Sequence, residues 1–175
     1  MIRAKSRRRS APHTSDAIAL LKADHRQVAA WFADYRRAAG AARKQALAAK
    51  ICVALRIHTT LEEEIFYPAF WQATADKQLH HEAEVEHQGA KRLLTDIEKS
   101  DPSDDYFDSR VKVLSEMIKH HVNEEERPGG MFARARKAKM DLQALGRQLA
   151  QRKAQLRSMG PLGTLVERLN EPLSA

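Results

Sequence analysis

Two stretches of the chain, HTTLEEE at 58–64 and HVNEEE at 121–126, set a histidine and a glutamate four residues apart inside rows that are otherwise apolar. Residues four apart lie on one helix face, one turn from each other. In the first row the order is Leu47, Ile51, Leu55, His58, Glu62, Ile65, Ala69, and in the second Phe107, Val111, Leu114, Ile118, His121, Glu125. Each His-Glu pair thus occupies core positions. An ionised glutamate in a core costs several kcal/mol unless something compensates it, and a metal ion does so well. A chain with this pattern has to fold as packed helices that meet around a polar centre.

The flanking sequence agrees. Gly and Pro number only 7 and 6 in 175 residues, while Ala, Leu, Lys, Arg, Glu and Gln dominate, a composition of long helices with little or no β-structure. Ser15 or Asp16 can cap a first helix that carries Ile18, Leu21, Val28, Trp31, Phe32 and Tyr35 inward and ends at Gly40. A second pattern runs from about 42 to 75, with Pro68 placed to kink or interrupt its last turns. A third spans about 77 to 99, and a fourth begins near 103 or 104 and stops at Pro128, Gly129 and Gly130. Short connections between four such helices give an all-α, antiparallel up-down-up-down bundle at 15–135.

Residues 1–14 read as a basic, disordered tail, and 136–175 as a C-terminal helical extension, basic and amphipathic, with its own tail. The extension continues one helical stretch from Phe132 to Arg157, followed by the SMGPLG linker and a short amphipathic segment at 164–169. Leu142, Leu149 and Leu156 recur every seven residues, so this helix either lies against the bundle or offers a seam for a homodimer or another protein partner. Monomer and homodimer both remain open.

The first and third helices each add one inward histidine. His25 follows Leu21 by four and precedes Val28 by three, and His87 shares a row with Ala83, Ala90, Leu94 and Ile97. His25 and His87 are 62 apart, each behind an acidic residue (Asp24, Glu86), and His58 and His121 are 63 apart, each opening H-x-x-x-E-E. The chain therefore reads as two copies of a helical hairpin. Their pairing would gather His25, His58, Glu62, His87, His121 and Glu125 around two metal ions. Imidazole and carboxylate donors suit iron, with manganese or zinc as alternatives. Six protein ligands leave open positions for O2, peroxide or nitric oxide.

Neighbouring residues read otherwise. His13, His80, His81 and His120 are not expected ligands, His80 being two turns from His87. Glu63, Glu64, Glu124 and Glu126 suit solvated edges or contacts to the ligand imidazoles, and Glu84 is either a partner of His87 or a surface carboxylate. Tyr67 and Trp71 either line the pocket or pack as ordinary core. Cys52 is the lone cysteine, which excludes an internal disulfide and fits the cytoplasm. No stretch is apolar for the ~20 residues that a membrane span needs. The net charge of +7 sits largely at Lys5–Arg9 and between Arg127 and Arg157, so nucleic acid is an unlikely partner.

The ordered set ADH at 23–25, HTTLEEEIFYP at 58–68, EH at 86–87 and HHVNEEE at 120–126 resembles the hemerythrin-like, or HHE cation-binding, family over residues 16 to 135. The resemblance implies a four-helix bundle with a non-haem di-iron centre held by the same six residues. One position departs from it. Oxygen-carrying hemerythrins have a second histidine four residues after the third-helix ligand, where this chain has Lys91. The expected function is therefore to bind or turn over a small oxidant (O2, hydrogen peroxide or nitric oxide) rather than to carry oxygen. The alternative is an oxygen or iron sensor that acts through a protein partner.

Overall fold

A computed structural model describes residues 16–158, and every regular element among them is helical. The basic tail at 1–14 and the segment at 164–169 lie outside the described residues. Helix α1 (Ala17–Arg37) starts at Asp16, whose carboxylate accepts the Ala19 N–H at 2.7 Å and so satisfies one of the unpaired donors of the first turn. Gly40, at φ 84°, turns the chain into α2 (Ala41–Leu61).

A π-helical turn (Glu62–Phe66) continues α2 directly into α3 (Tyr67–Thr74). In this turn the Tyr67 N–H reaches back five residues to the Glu62 carbonyl. The extra residue rotates everything after it by about one position. Ile65 and Ala69, expected on the buried row, are only partly buried, and Phe66, Tyr67 and Phe70 take the core instead. Pro68, expected to kink or interrupt the last turns, sits just after the π turn near the start of α3, and the helix runs on to Thr74.

The other long helices are α4 (Lys77–Lys99) and α5 (Phe107–Glu126), α4 capped by Asp76. Helix α1 packs on α2, and α4 packs on α5. The chain then breaks at Gly129, with φ 79°, and Gly130. A side chain at Gly130 would place Cβ 2.4 Å from the Glu124 carbonyl oxygen, so only glycine lets the backbone pass the end of α5.

The single helix expected over Phe132 to Arg157 is in fact two, α6 (Met131–Lys137) and α7 (Leu142–Ser158). Lys139 adopts a left-handed φ of 56°, and the Asp141 carboxylate caps the new helix through the Ala144 N–H at 2.9 Å. Helix α7 lies against α1, α2 and the π turn. Leu149 is fully buried there and Leu156 nearly so, with Leu142 and Leu145 packed at the edge. The leucine row therefore faces the chain's own bundle.

Two apolar clusters form the core. One contains Ile18, Leu21, Leu61, Phe66, Phe70 and Phe132, and the other Val28, Phe32, Ile51, Leu55, Leu94 and Leu114. Along α1 the buried row reads Ile18, Leu21, His25, Val28, Phe32, so the histidine lies between the two clusters. The polar residues thus form a layer with apolar packing on either side.

Candidate metal centre

All six residues singled out by the apolar rows are buried, and the structure brings them together. Their Nε2 atoms turn inward in two pairs: His25 to His58 at 3.0 Å and His87 to His121 at 3.2 Å. Two nitrogens bound at right angles to one ion, each about 2.1 Å from it, stand about 3.0 Å apart. The carboxylates span the pairs. Glu62 Oε2 lies 3.2 Å from His58 Nε2 and 3.4 Å from His87 Nε2. Glu125 reaches His25 through Oε2 at 3.4 Å and His121 through Oε1 at 3.7 Å. Two groups with metal-ligating spacing result, His25-His58-Glu62 and Glu62-His87-His121, sharing Glu62.

A cation fits this set. Glu62 Oε1 and Glu125 Oε2 are buried without a hydrogen-bond partner, and such acceptors are costly to leave unpaired. Protons must substitute where no metal is bound. Burial works against charge on His58, yet the Glu62 carboxylate beside it and Asp24 outweigh that and push it up to about 10. His87 rises to about 9 against the same burial penalty, held by Glu62 and Glu63. Burial and the charge of His58 push His25 down to about 4, and burial with the charge of Glu62 raises Glu125 to about 7.

Behind the imidazoles stand carboxylates that fix their orientation. Glu126 meets His25 Nδ1 at 2.8 Å, Glu63 meets His87 Nδ1 at 3.1 Å, and Glu86 meets His121 Nδ1 at 2.7 Å. Glu64 and Glu124 instead pair with Arg152 and Arg127, and Glu84 faces His80 rather than His87. Lys91, at the position where an oxygen carrier has histidine, binds Glu63 at 2.5 Å. His81 and His120 are exposed, and His80 is buried but packs between Tyr67 and Trp71.

One residue of the site was only half visible in the sequence. The Tyr67 hydroxyl donates to Glu125 Oε1 at 3.1 Å and stands 3.3 Å from Glu62 Oε2, 3.2 Å from His87 Nε2 and 3.4 Å from His121 Nε2. The π turn puts it there, whereas Trp71 one turn later is 42% exposed. Cys52 is buried, and burial pushes its thiol up to about 12, so it takes no part. A cleft of about 840 Å³ between α1 and α5, with Ala29, Phe32, Ile118 and Val122 among its walls, reaches His25.

The hemerythrin HHE cation binding domain matches residues 16–128, which include all six residues and Tyr67. The chain belongs to the hemerythrin HHE cation-binding family. It is accordingly a metal-binding helical bundle. Its fold resembles the crystal structure of a hemerythrin HHE cation binding domain-containing protein from Mycobacterium kansasii, an Rv2633c homolog, with a TM-score of 0.71 and 22% identity over 88% of this chain and 99% of that one. It is also 28% identical over 110 residues to a DNA nickase from Nostoc sp. (strain PCC 7120), a match that covers 61% of this chain and 30% of the nickase. The chain thus spans 30% of that relative's length. Among the described residues no helix is long and apolar enough to cross a membrane.

Proposed function

We propose that His25, His58, Glu62, His87, His121 and Glu125 hold two iron ions, one at each histidine pair, with Glu62 and Glu125 bridging, and that this centre binds or turns over a small oxidant. The observation that carries the reading is the bridging geometry: each carboxylate lies within 3.2 to 3.7 Å of an Nε2 atom from both pairs. Two hairpins, 62 to 63 residues apart in sequence, supply the two halves, and the four long helices then run up-down-up-down with the bundle proper at 15–135. The extension at 136–175 begins within α6, and its described part packs onto the bundle through Leu149 and Leu156.

When bound, iron supplies electrons and open coordination positions for O2, peroxide or nitric oxide. The protein residues do the rest. Lys91 is engaged with Glu63 and leaves the His87 side one imidazole short of an oxygen carrier. Tyr67 stays protonated, because burial and the carboxylates of Glu125 and Glu62 raise it well above the usual tyrosine range. Its hydroxyl therefore remains a hydrogen-bond donor, placed beside His87 and His121 to orient a bound oxidant. The cleft that reaches His25 provides entry for a small molecule.

The test is to load the protein with ferrous iron anaerobically and add O2, hydrogen peroxide or nitric oxide in turn. A stoichiometric absorbance change with at least one of them is expected. Loaded protein that responds to none would overturn the oxidant reading.

A further inference from the structure

Three of the four inward imidazoles have a carboxylate closed on Nδ1, at 2.7 to 3.1 Å. His58 does not. Its Nδ1 is buried without a hydrogen-bond partner, and the nearest carboxylate, Asp24 Oδ2, stands 3.7 Å away. Asp24 is held instead by Lys153 of α7, whose amino group ion-pairs with Oδ1. The side chains of Lys153 and Asp24 are 17% and 19% exposed, so solvent screens the pair only in part.

The other three carboxylates also meet a basic side chain, Glu126 with Lys22, Glu63 with Lys91 and Glu86 with His120. Those three side chains come from the helices that carry the inward histidines. Lys153 alone comes from α7, beyond the matched residues 16–128. Its position there is over-determined. The fully buried Leu149 anchors the preceding turn, and Arg152 grips Glu64 of the π turn through two hydrogen bonds at 2.6 and 2.9 Å.

We infer that Lys153 is a positioning residue of the metal centre: it draws Asp24 toward α7 and so limits how far that carboxylate engages the His58 imidazole. The inference rests on the proposed iron site. An imidazole N–H that donates fully to a carboxylate becomes a stronger electron donor to its metal and favours the higher oxidation state. By holding Asp24 back, Lys153 makes the metal on the His25-His58 side the weaker-donated of the two. The C-terminal helix thereby tunes the redox asymmetry of the site.

The experiment is spectroelectrochemistry of the iron-loaded full chain, with circular dichroism and iron content measured alongside. Removing Lys153 frees Asp24 to close on His58 and also deletes a nearby positive charge, and both effects stabilise ferric iron. Lys153→Met should therefore shift the midpoint potential to more negative values, Lys153→Arg should restore it, and Asp24→Asn should move it to more positive values. Arg152→Met removes a neighbouring cation that pairs with Glu64 and not with Asp24; the buried Leu149 still anchors α7 beside Lys153, so the potential should stay in place. A Lys153→Met protein with wild-type helix content, iron content and potential would overturn the inference, as would an equal shift in Arg152→Met. If Lys153→Met fails to fold, an unchanged potential in Asp24→Asn overturns it. Wild-type protein that takes up no iron would overturn the metal-centre reading itself.

Discussion

The Nε2 atoms of His25 and His58 face each other at 3.0 Å in the layer between the two apolar clusters, a separation that requires either a shared proton or a shared cation. Without metal the proton resides on His58, at about 10, and not on His25, at about 4. His58 and His87 are raised above the ordinary histidine value, so the stability they contribute is full below about pH 6.5 and is lost as pH rises through 9 to 10. Glu125, raised to about 7, acts in the same direction but over a lower window, from about pH 4.5 to 7, and so adds little to the fall above pH 7. The melting temperature of metal-free protein should therefore fall from pH 7 toward pH 10, whereas loaded protein, its imidazoles held by metal, should change little. Because metal displaces these protons, apparent iron affinity should rise over the same interval, and calorimetry in buffers of different ionisation enthalpy should show proton release.

Tyr67 tests the chemistry apart from the binding. Tyr67→Phe keeps the ring in the core and removes only the hydroxyl that touches Glu125, Glu62, His87 and His121. Iron content should be unchanged, while turnover of the active oxidant falls by about 100-fold, the low end for a positioned hydrogen-bond donor. Full activity in this variant would remove Tyr67 from the mechanism.

Gly130 tests the break after α5. Gly130→Ala drives Cβ to 2.4 and 2.9 Å from the carbonyl oxygens of Glu124 and Glu125, backbone that cannot rotate away. Urea unfolding should show a loss of about 1–3 kcal/mol or more. Bound iron should drop with it, because any shift of α5 moves Glu125.

The docking of α7 is tested by Leu149→Ala. Leu149 is fully buried against the α1 end of the core, and its truncation should cost roughly 2–5 kcal/mol by chemical unfolding. Leu142→Ala, at the partly buried edge, should cost less.

How much of this was legible in the sequence follows from where the physics is local. The rows that bring His25, His58, Glu62, His87, His121 and Glu125 inward depend only on 3.6-residue periodicity, and the structure buries all six. The periodicity fails after Glu62. There a five-residue hydrogen bond replaces the usual one, so Phe66 and Phe70 take the places expected for Ile65 and Ala69, and Tyr67 enters the site. Nothing in the residues near Glu62 announces that change. The break at Lys139 was equally hidden, because a left-handed lysine carries no mark comparable to glycine. Asp24 and Glu86 were visible as acidic neighbours of histidines, but Asp24 proves to face Lys153 and His58, and Glu86 faces His121, pairings that only the packed helices define.

The central claim, a two-iron site held by these six residues, is tested most directly by iron content after anaerobic reconstitution and removal of loosely bound metal. Wild-type protein should retain close to two irons per chain, His58→Ala and Glu125→Ala should lose most of them, and His120→Ala should keep them. Retention below about half an iron per chain, or unchanged retention in His58→Ala and Glu125→Ala, would contradict it.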